Sequence, residues 1–313
     1  MALINTYKMF DIAVILINYN SSLHTINCIK SIYEKTSSSI KFQVIITDNC
    51  SQIDDFNVLK QYCKTANLSN LQLHRNTINS GFGGGNMYGY QFAKAHYLVF
   101  LNNDTLLLND CFAILKQNLD TNKSIGIAGA QAFKENGDFL ISLDHFASPA
   151  REILGRNFLE FINKSKYPIR KKRYFKPVQV NFVPGSLLFI RKEDFDTIGG
   201  FDLNIFLYYE ETDLCLRLKK INKNAYLIPN AEFIHFHGVS TEKSVAIKKE
   251  LKISLLYIMK KHYGSLGYFI VKNFLLLKYG LSSIIKSKNR PLFSLILRGA
   301  PLSESLKFKQ KLN

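Results

Sequence analysis

Residues 11–18, DIAVILIN, stay apolar for the length of a strand and then end in polar residues. Apolar side chains at successive positions, not alternate ones, mark a strand buried on both faces, as in a parallel sheet covered by helices. Residues 21–35 follow with Leu23, Ile26, Ile29, Ile32 and Tyr33 at three- and four-residue spacing, the period of an amphipathic helix. The unit then repeats. Residues 42–47 read as a second strand and 56–65 as a helix, 71–74 as a third strand followed by a helix over 87–95, and 97–101 as a fourth strand. Strands alternating with helices predict an α/β fold built on a parallel, doubly wound sheet.

In such sheets ligands lie beyond the carboxyl ends of the strands. The polar tips there are Asn18-Tyr19-Asn20, Asp48-Asn49, Asn79-Ser80-Gly81 and Asn102-Asn103-Asp104. Asn, Asp and Gly are ordinary turn residues, so it is the recurrence in successive units that points to a site. The run GFGGG, residues 81–85, reads as a loop ahead of a helix, where glycines let backbone N–H groups approach a phosphate or sugar. It does not spell GxGxxG and follows the third strand, which argues against a dinucleotide-dependent dehydrogenase. Asp104 sits just past the apolar strand of YLVFLNNDT, a position from which a carboxylate can hold a hard divalent cation.

A second constellation is GGFDLNIFLYYEETDLCLRL, residues 199–218, which delivers Glu210, Glu211 and Asp213 to the first turn of a helix. Acids there are stabilised by the helix dipole, by about 0.3 to 1 kcal/mol each. The preceding glycines, Phe206, Tyr208 and Tyr209, and the HFHGVST segment that starts at His235, make the cluster a candidate site as well as a helix start.

The chain has 313 residues and a formal charge of +17. Residues 240–313 carry fifteen Lys and Arg against three Glu, so this tail supplies +12 of that charge. Such a bias favours an anionic partner, a membrane surface, a nucleic acid or a phosphorylated substrate. The basic residues form no RNP, zinc-finger or helix-turn-helix signature, so a specific nucleic-acid partner is not expected. The tail reads as helices whose mixture of basic and apolar residues suits an interfacial helix on anionic lipid, and Lys272 and Lys278 interrupt any membrane span. The basic stretch YPIRKKRYFKP reads as a solvated charge run. Five scattered cysteines without CxxC spacing and an N-terminal apolar run without signal-peptide flanks fit a reduced, cytoplasmic setting.

Taken together, NYN, TDNCS, NSGFGGGN, LNNDT, VPGSLLFIR, GGFD, FLYYEETDLCLRL and HFHGVST stand in the order seen in family 2 inverting glycosyltransferases of the GT-A fold. The similarity is strongest to the bacterial rhamnosyltransferase-like branch. It spans about residues 10–245. That resemblance implies a Rossmann-like, mostly parallel central sheet flanked by helices over residues 1–245, with a basic helical extension over 246–313. It implies a nucleotide-sugar donor, dTDP-rhamnose or a UDP-hexose, a divalent cation, Mn or Mg, and transfer with inversion to a saccharide hydroxyl. An interfacial tail would set the chain peripherally at the inner face of the cell membrane and make a lipid-linked saccharide the natural acceptor, as in bacterial surface polysaccharide synthesis.

Position by position, Asn18, Tyr19, Asn20 and Asp48 resemble the base and ribose contacts. Asn79 and Gly81 resemble the loop near the nucleotide and its diphosphate. Asp104 resembles the surviving carboxylate of the DxD element, with Asn103 as a neutral helper. Glu211 falls where the family has an aspartate general base, with Glu210 as the competing carboxylate and Asp213 as a group that orients the base or binds the acceptor. His235 falls on the histidine that meets metal or diphosphate, and His237 is a second candidate. The chain departs from the family at Asn102-Asn103-Asp104, which lacks the first carboxylate, and at Glu211, one methylene longer than the usual aspartate. The competing assignments are a nucleotidyltransferase of related architecture, for which no basic signature loop follows the first strand, and a non-catalytic protein that binds nucleic acid or other anions.

Overall fold

The computed structural model describes residues 9–236 and 244–310. Strands β1 (Phe10–Asn18), β2 (Phe42–Asp48), β3 (Leu71–Arg75) and β4 (Ala95–Asn102) are linked by helices α1 (Ser22–Lys35), α2 (Ile53–Ala66) and α3 (Gly81–Tyr90). β1 lies between β2 and β4, parallel to both, and β3 adds parallel to β2. Residues 12–16 of β1 have no solvent exposure, as the continuous apolar run requires. The register sets Asn18 beside Asp48, Asp48 beside Arg75, and Ile17 beside Asn102. Because the chain winds outward from β1 in both directions, these tips border the crevice at the switch point of the sheet.

Beyond β4 the sheet is mixed. After β5 (Thr105–Leu107), α4 (Cys111–Thr121) and β6 (Ile125–Phe133), the chain makes an excursion through α5 (Pro149–Leu154) and α6 (Arg156–Ile162). It returns as β7 (Val178–Val180) and β8 (Leu187–Arg191), continues through α7 (Lys192–Thr197) and α8 (Glu210–Lys220), and closes with β9 (Asn224–His235). β8 runs antiparallel to both β4 and β6, and β9 is parallel to β6 and antiparallel to β5 and β7. The parallel order expected from the repeating units therefore holds over the first four strands and gives way where the chain returns without a helical crossover.

One expectation is corrected. The glycine run is not a loop ahead of a helix at residue 87; it forms the first turns of α3 itself. Glycine in a helix costs about 1 kcal/mol relative to alanine, so its presence needs a packing reason. The reason is close approach to the sheet. A Cβ on Gly85 would lie 2.9 Å from Ile17 Cδ1, and one on Gly89, a turn further along α3, 2.7 Å from both Ile15 Cγ2 and Thr47 Oγ1. Gly81 has φ +74°, and a Cβ there would lie 2.0 Å from the Phe206 carbonyl oxygen.

The tail forms α9 (Val245–Ile285) and α10 (Arg290–Leu297). Gly264 breaks α9 with φ 67° and ψ −169°. Lys252 Nζ lies 5.5 Å from the centre of the Tyr279 ring, whereas a straight helix would hold these residues roughly 40 Å apart. α9 is thus a helical hairpin with arms 245–263 and 265–285, and buried residues of both arms join α10 in one apolar cluster. That cluster also contains Ile205, on the segment leading to α8, so the hairpin is seated against the acidic helix.

Candidate active site

Four pieces of chain meet at the carboxyl edge of β1 and β4. The end of β4 pairs with the segment before β8, where Asn102 N donates to the Ser186 carbonyl at 3.0 Å. One residue earlier, Gly185 N donates to Glu211 Oε1 at 2.8 Å. The start of α3 reaches the same place, since Phe82 N donates to the Phe206 carbonyl at 3.0 Å. Asp104 follows two residues after Asn102, and its Oδ1 lies 3.3 Å from His235 Nε2. Glu211, Asp104 and His235, which lie far apart in sequence, are thereby gathered at one sheet edge.

The two glutamates have different surroundings. Glu210 is buried, and its Oε1 has no hydrogen-bond partner among the described residues. Burial and then the charge of Glu211 push its carboxyl well above the usual range. Glu211 is also raised by burial, with a further push from Asp144, but the Gly185 N–H stabilises its ionised form. Burial raises both carboxyls, and only Glu211 has a backbone N–H that favours its ionised form. The Gly185 contact ties Glu211, and not Glu210, to the segment that pairs with the end of β4.

The approach to α8 is strained. Tyr208 and Tyr209 have φ 74° and 72°, two bulky residues in the left-handed region in succession, each costing about 1–3 kcal/mol. The hairpin and α5 hold them there. Ser254 Oγ of α9 donates to the Leu207 carbonyl at 2.8 Å, and the Arg151 guanidinium lies 5.5 Å from the Tyr209 ring centre.

Asp213 does not face the site. It is buried and receives hydrogen bonds from Arg217 Nε at 2.8 Å and His262 Nε2 at 2.7 Å, with Lys261 Nζ at 2.6 Å. It therefore clamps α8 to α9, and no oxygen is turned to an acceptor. Of the two readings the sequence leaves for Asp213, a group acting on the base or the acceptor and a plain helix-start acid, these contacts fit the second.

The tips expected to contact the base and ribose divide similarly. Asn18 is fully buried; its Nδ2 lies 2.9 Å from Asp48 and Asp55 and 3.1 Å from Ser51, while Thr25 Oγ1 donates to its Oδ1 at 2.7 Å. Asp48 is buried as well, accepting from Asn18 and from Ser51 N at 3.2 Å, with Arg75 at 3.5 Å. Asn103 is buried and donates to Ser21 and Thr25, both at 2.7 Å. These three side chains brace the tip loops: Asn18 and Asp48 tie the end of β1 to that of β2, and Asn103 ties the end of β4 to the start of α1. Tyr19 is exposed, and Asn20 has φ 51° with its Oδ1 bonded to Gln52 N at 2.7 Å. Asn79 Oδ1 accepts from Gly81 N and Asn49 Nδ2, each at 2.9 Å, which shapes the turn into α3. His237 lies outside the described residues.

The glycosyl transferase family 2 model matches residues 13–199, more than half of the chain. The chain belongs to glycosyl transferase family 2. A rhamnosyltransferase, WbbL of Escherichia coli K12, is 26% identical over 243 residues, 70% of this chain and 83% of that protein. An N-acetylglucosaminyl-diphospho-decaprenol L-rhamnosyltransferase of Mycobacterium tuberculosis is 32% identical over 87 residues, 27% of this chain and 28% of the relative. The structure of GalNAc-T7 with UDP, GalNAc and Mn2+ superposes with a TM-score of 0.63 at 15% identity. That match covers 83% of this chain, which spans half the length of that structure. The architecture is the GT-A fold.

For this glycosyl transferase the donor set fits a divalent cation sharing its ligands with a diphosphate. Asp104 supplies a carboxylate oxygen and His235 an imidazole nitrogen facing it, both largely buried. No cluster of three or more His, Cys, Asp or Glu exists among the described residues, so phosphate oxygens and water would complete the shell. A cavity of about 520 Å³, lined by Lys134, Glu135, Asn136, Leu140, His235 and Phe236, opens beside this corner.

Asn49 was passed over as one more turn residue. It is the hub of the edge: its Oδ1 accepts from Asn76 Nδ2, Ser80 N and Ser80 Oγ, and its Nδ2 donates to Asn79 and the Gly81 carbonyl. The Gly185 N–H was missed because a backbone donor leaves no trace in residue type.

Proposed function

We propose that this chain transfers a hexose, rhamnose from dTDP-rhamnose ahead of a UDP-hexose, to a hydroxyl of a lipid-linked saccharide, with inversion. The acceptor O–H gives its proton to the Glu211 carboxylate. The oxygen forms the new bond at the anomeric carbon while the bond from that carbon to the diphosphate oxygen breaks, and the nucleoside diphosphate leaves. Attack from the face opposite the leaving group inverts the centre. A positioned carboxylate base is worth about 10²- to 10⁴-fold, and its raised affinity for protons suits the task at neutral pH. Asp104 and His235 would hold a Mn or Mg ion, whose chemistry is to neutralise charge growing on the departing diphosphate.

One observation carries this reading: Glu211 is fixed by Gly185 N, next to the residue whose carbonyl joins β4 two positions before Asp104. The relatives named for rhamnosyl transfer, one of them an N-acetylglucosaminyl-diphospho-decaprenol L-rhamnosyltransferase, support the choice of donor and acceptor class. The test is a thermal-shift screen of nucleotide sugars with and without Mn, followed by NMR of the product's anomeric configuration. The account expects dTDP-rhamnose to raise the unfolding temperature more with Mn than without it, and an inverted product. A retained configuration would contradict it.

A further inference from the structure

The excursion through α5 and α6 carries apolar side chains that the proposed reaction does not use. Phe158, Phe161 and Ile162 occur at helical spacing on one face of α6; Phe158 is 48% and Phe161 80% exposed. Leu154, at the end of α5, is exposed beside them. The neighbouring second arm of α9 shows the same character. Leu266, Phe269, Leu277, Leu281 and Ile284 are exposed, Leu266 at 71% and Ile284 at 79%. At about 100° per residue these five positions fall on one face of the arm. The two elements are adjacent, for a Cβ on Gly267 would lie 3.6 Å from Pro149 at the start of α5. Exposed apolar surface on this scale marks an interaction site.

We propose that the α5–α6 excursion and the second arm of α9 form a two-part platform that docks on an anionic lipid bilayer, with Phe158 and Phe161 seated among the lipid headgroups. Charge identifies the occupant. The segment 163–177, immediately after α6, contains seven basic residues and no acid, and Lys164, Lys166, Lys171 and Lys172 are exposed. Lys286, Lys288 and Arg290 are exposed at the far end of the α9 arm. Apolar residues rimmed by lysine and arginine match a bilayer interface that offers acyl chains and negative headgroups together. A second copy of this chain would bring the same basic rim against its own, a repulsive pairing. The fold-back at Gly264 divides the 41-residue helix, so its length does not make it a continuous span.

The platform is joined to the site. Arg156, the first residue of α6, donates to Asp144 at 2.7 and 2.9 Å, and the charge of Asp144 acts on Glu211. Docking would bring this edge of the site to the membrane surface, where a lipid-linked acceptor is held; that consequence rests on the proposed transfer reaction, whereas the docking does not.

The test is flotation of the full chain with vesicles of phosphatidylcholine, with and without about a third phosphatidylglycerol. The chain is expected to float with the anionic vesicles and to be released by salt. Phe161→Glu combined with Phe158→Ser is expected to reduce partition by about tenfold or more, with the melting curve and transfer to a water-soluble acceptor unchanged. Lys171→Glu with Lys172→Glu is expected to weaken binding to anionic vesicles alone. Wild-type chain left in the unbound fraction, or a double-phenylalanine variant that floats as well as wild type, would overturn the proposal. So would sedimentation showing that these substitutions dissociate a dimer, which would assign the face to a second copy. Flotation without sugar transfer to any acceptor would leave the docking standing and overturn the proposed function instead.

Discussion

Replacing Asp213 with Asn tests whether that carboxylate is a clamp. Asp213 is buried against Arg217, Lys261 and His262, two of which come from α9. Removing one member of a buried ionic set costs about 3–5 kcal/mol, because the charges left behind lose their compensation. Two of the three keep other partners: Lys261 has Asp202 at 2.6 Å, and Arg217 has the Ile198 carbonyl at 2.5 Å. The loss therefore falls at the lower end, about 3 kcal/mol, against a total stability on the order of 5–15 kcal/mol. That corresponds to a fall in melting temperature of roughly 5–10 °C. The pH dependence has a definite sign. Burial works to raise Asp213, but the His262 hydrogen bond, the Arg217 charge and Lys261 outweigh it and hold the carboxyl well below the usual range. A depressed carboxyl contributes stability that is fully present above its unfolded value of about 3.9 and is lost as pH falls through the folded value. The gap between wild type and Asp213→Asn, followed by circular dichroism melts, is thus expected to be present at neutral pH and to close in strong acid. Below its melting temperature the variant is expected to retain most of its transfer rate. A melting temperature unchanged within error, or transfer abolished in a fully folded variant, would refute the clamp.

Gly81→Ala would place a methyl group against the Phe206 carbonyl at a left-handed position; destabilisation of about 1–3 kcal/mol is expected in urea melts, with weaker donor binding. Asp104→Asn is expected to raise the Mn concentration needed for half-maximal transfer by tenfold or more, and calorimetric titration of Mn in the presence of nucleoside diphosphate checks this independently of activity.

The first half of the sheet was legible because strands buried on both faces leave continuous apolar runs, and DIAVILIN became β1 with residues 12–16 fully enclosed. The start of α3 was not legible. Its glycines oppose helix formation locally, and the contacts that reward them, Phe206 at Gly81 and Ile17 at Gly85, come from other parts of the chain. Asp213 had the same difficulty, since its partner His262 lies 49 residues away, and no local pattern shows that the two helices meet there; the break at Gly264, by contrast, is where the sequence divides the tail into two helices. Asn18 and Asp48 stood at the expected tips, yet a strand end does not reveal whether a side chain faces the crevice or braces the loop behind it. Motif order pointed to Glu211 and Asp104; the backbone donor at Gly185 that distinguishes Glu211 from Glu210 leaves no trace in residue type.

The most direct measurement is the single-turnover transfer rate of Glu211→Gln beside its calorimetric affinity for the donor. The account predicts a loss of about 10²-fold or more in rate, with donor affinity within a few-fold of wild type, because the amide keeps the shape of the side chain and loses only the group that takes the proton. An unchanged rate, or a loss explained wholly by weaker donor binding, would contradict the assignment of Glu211 as the base.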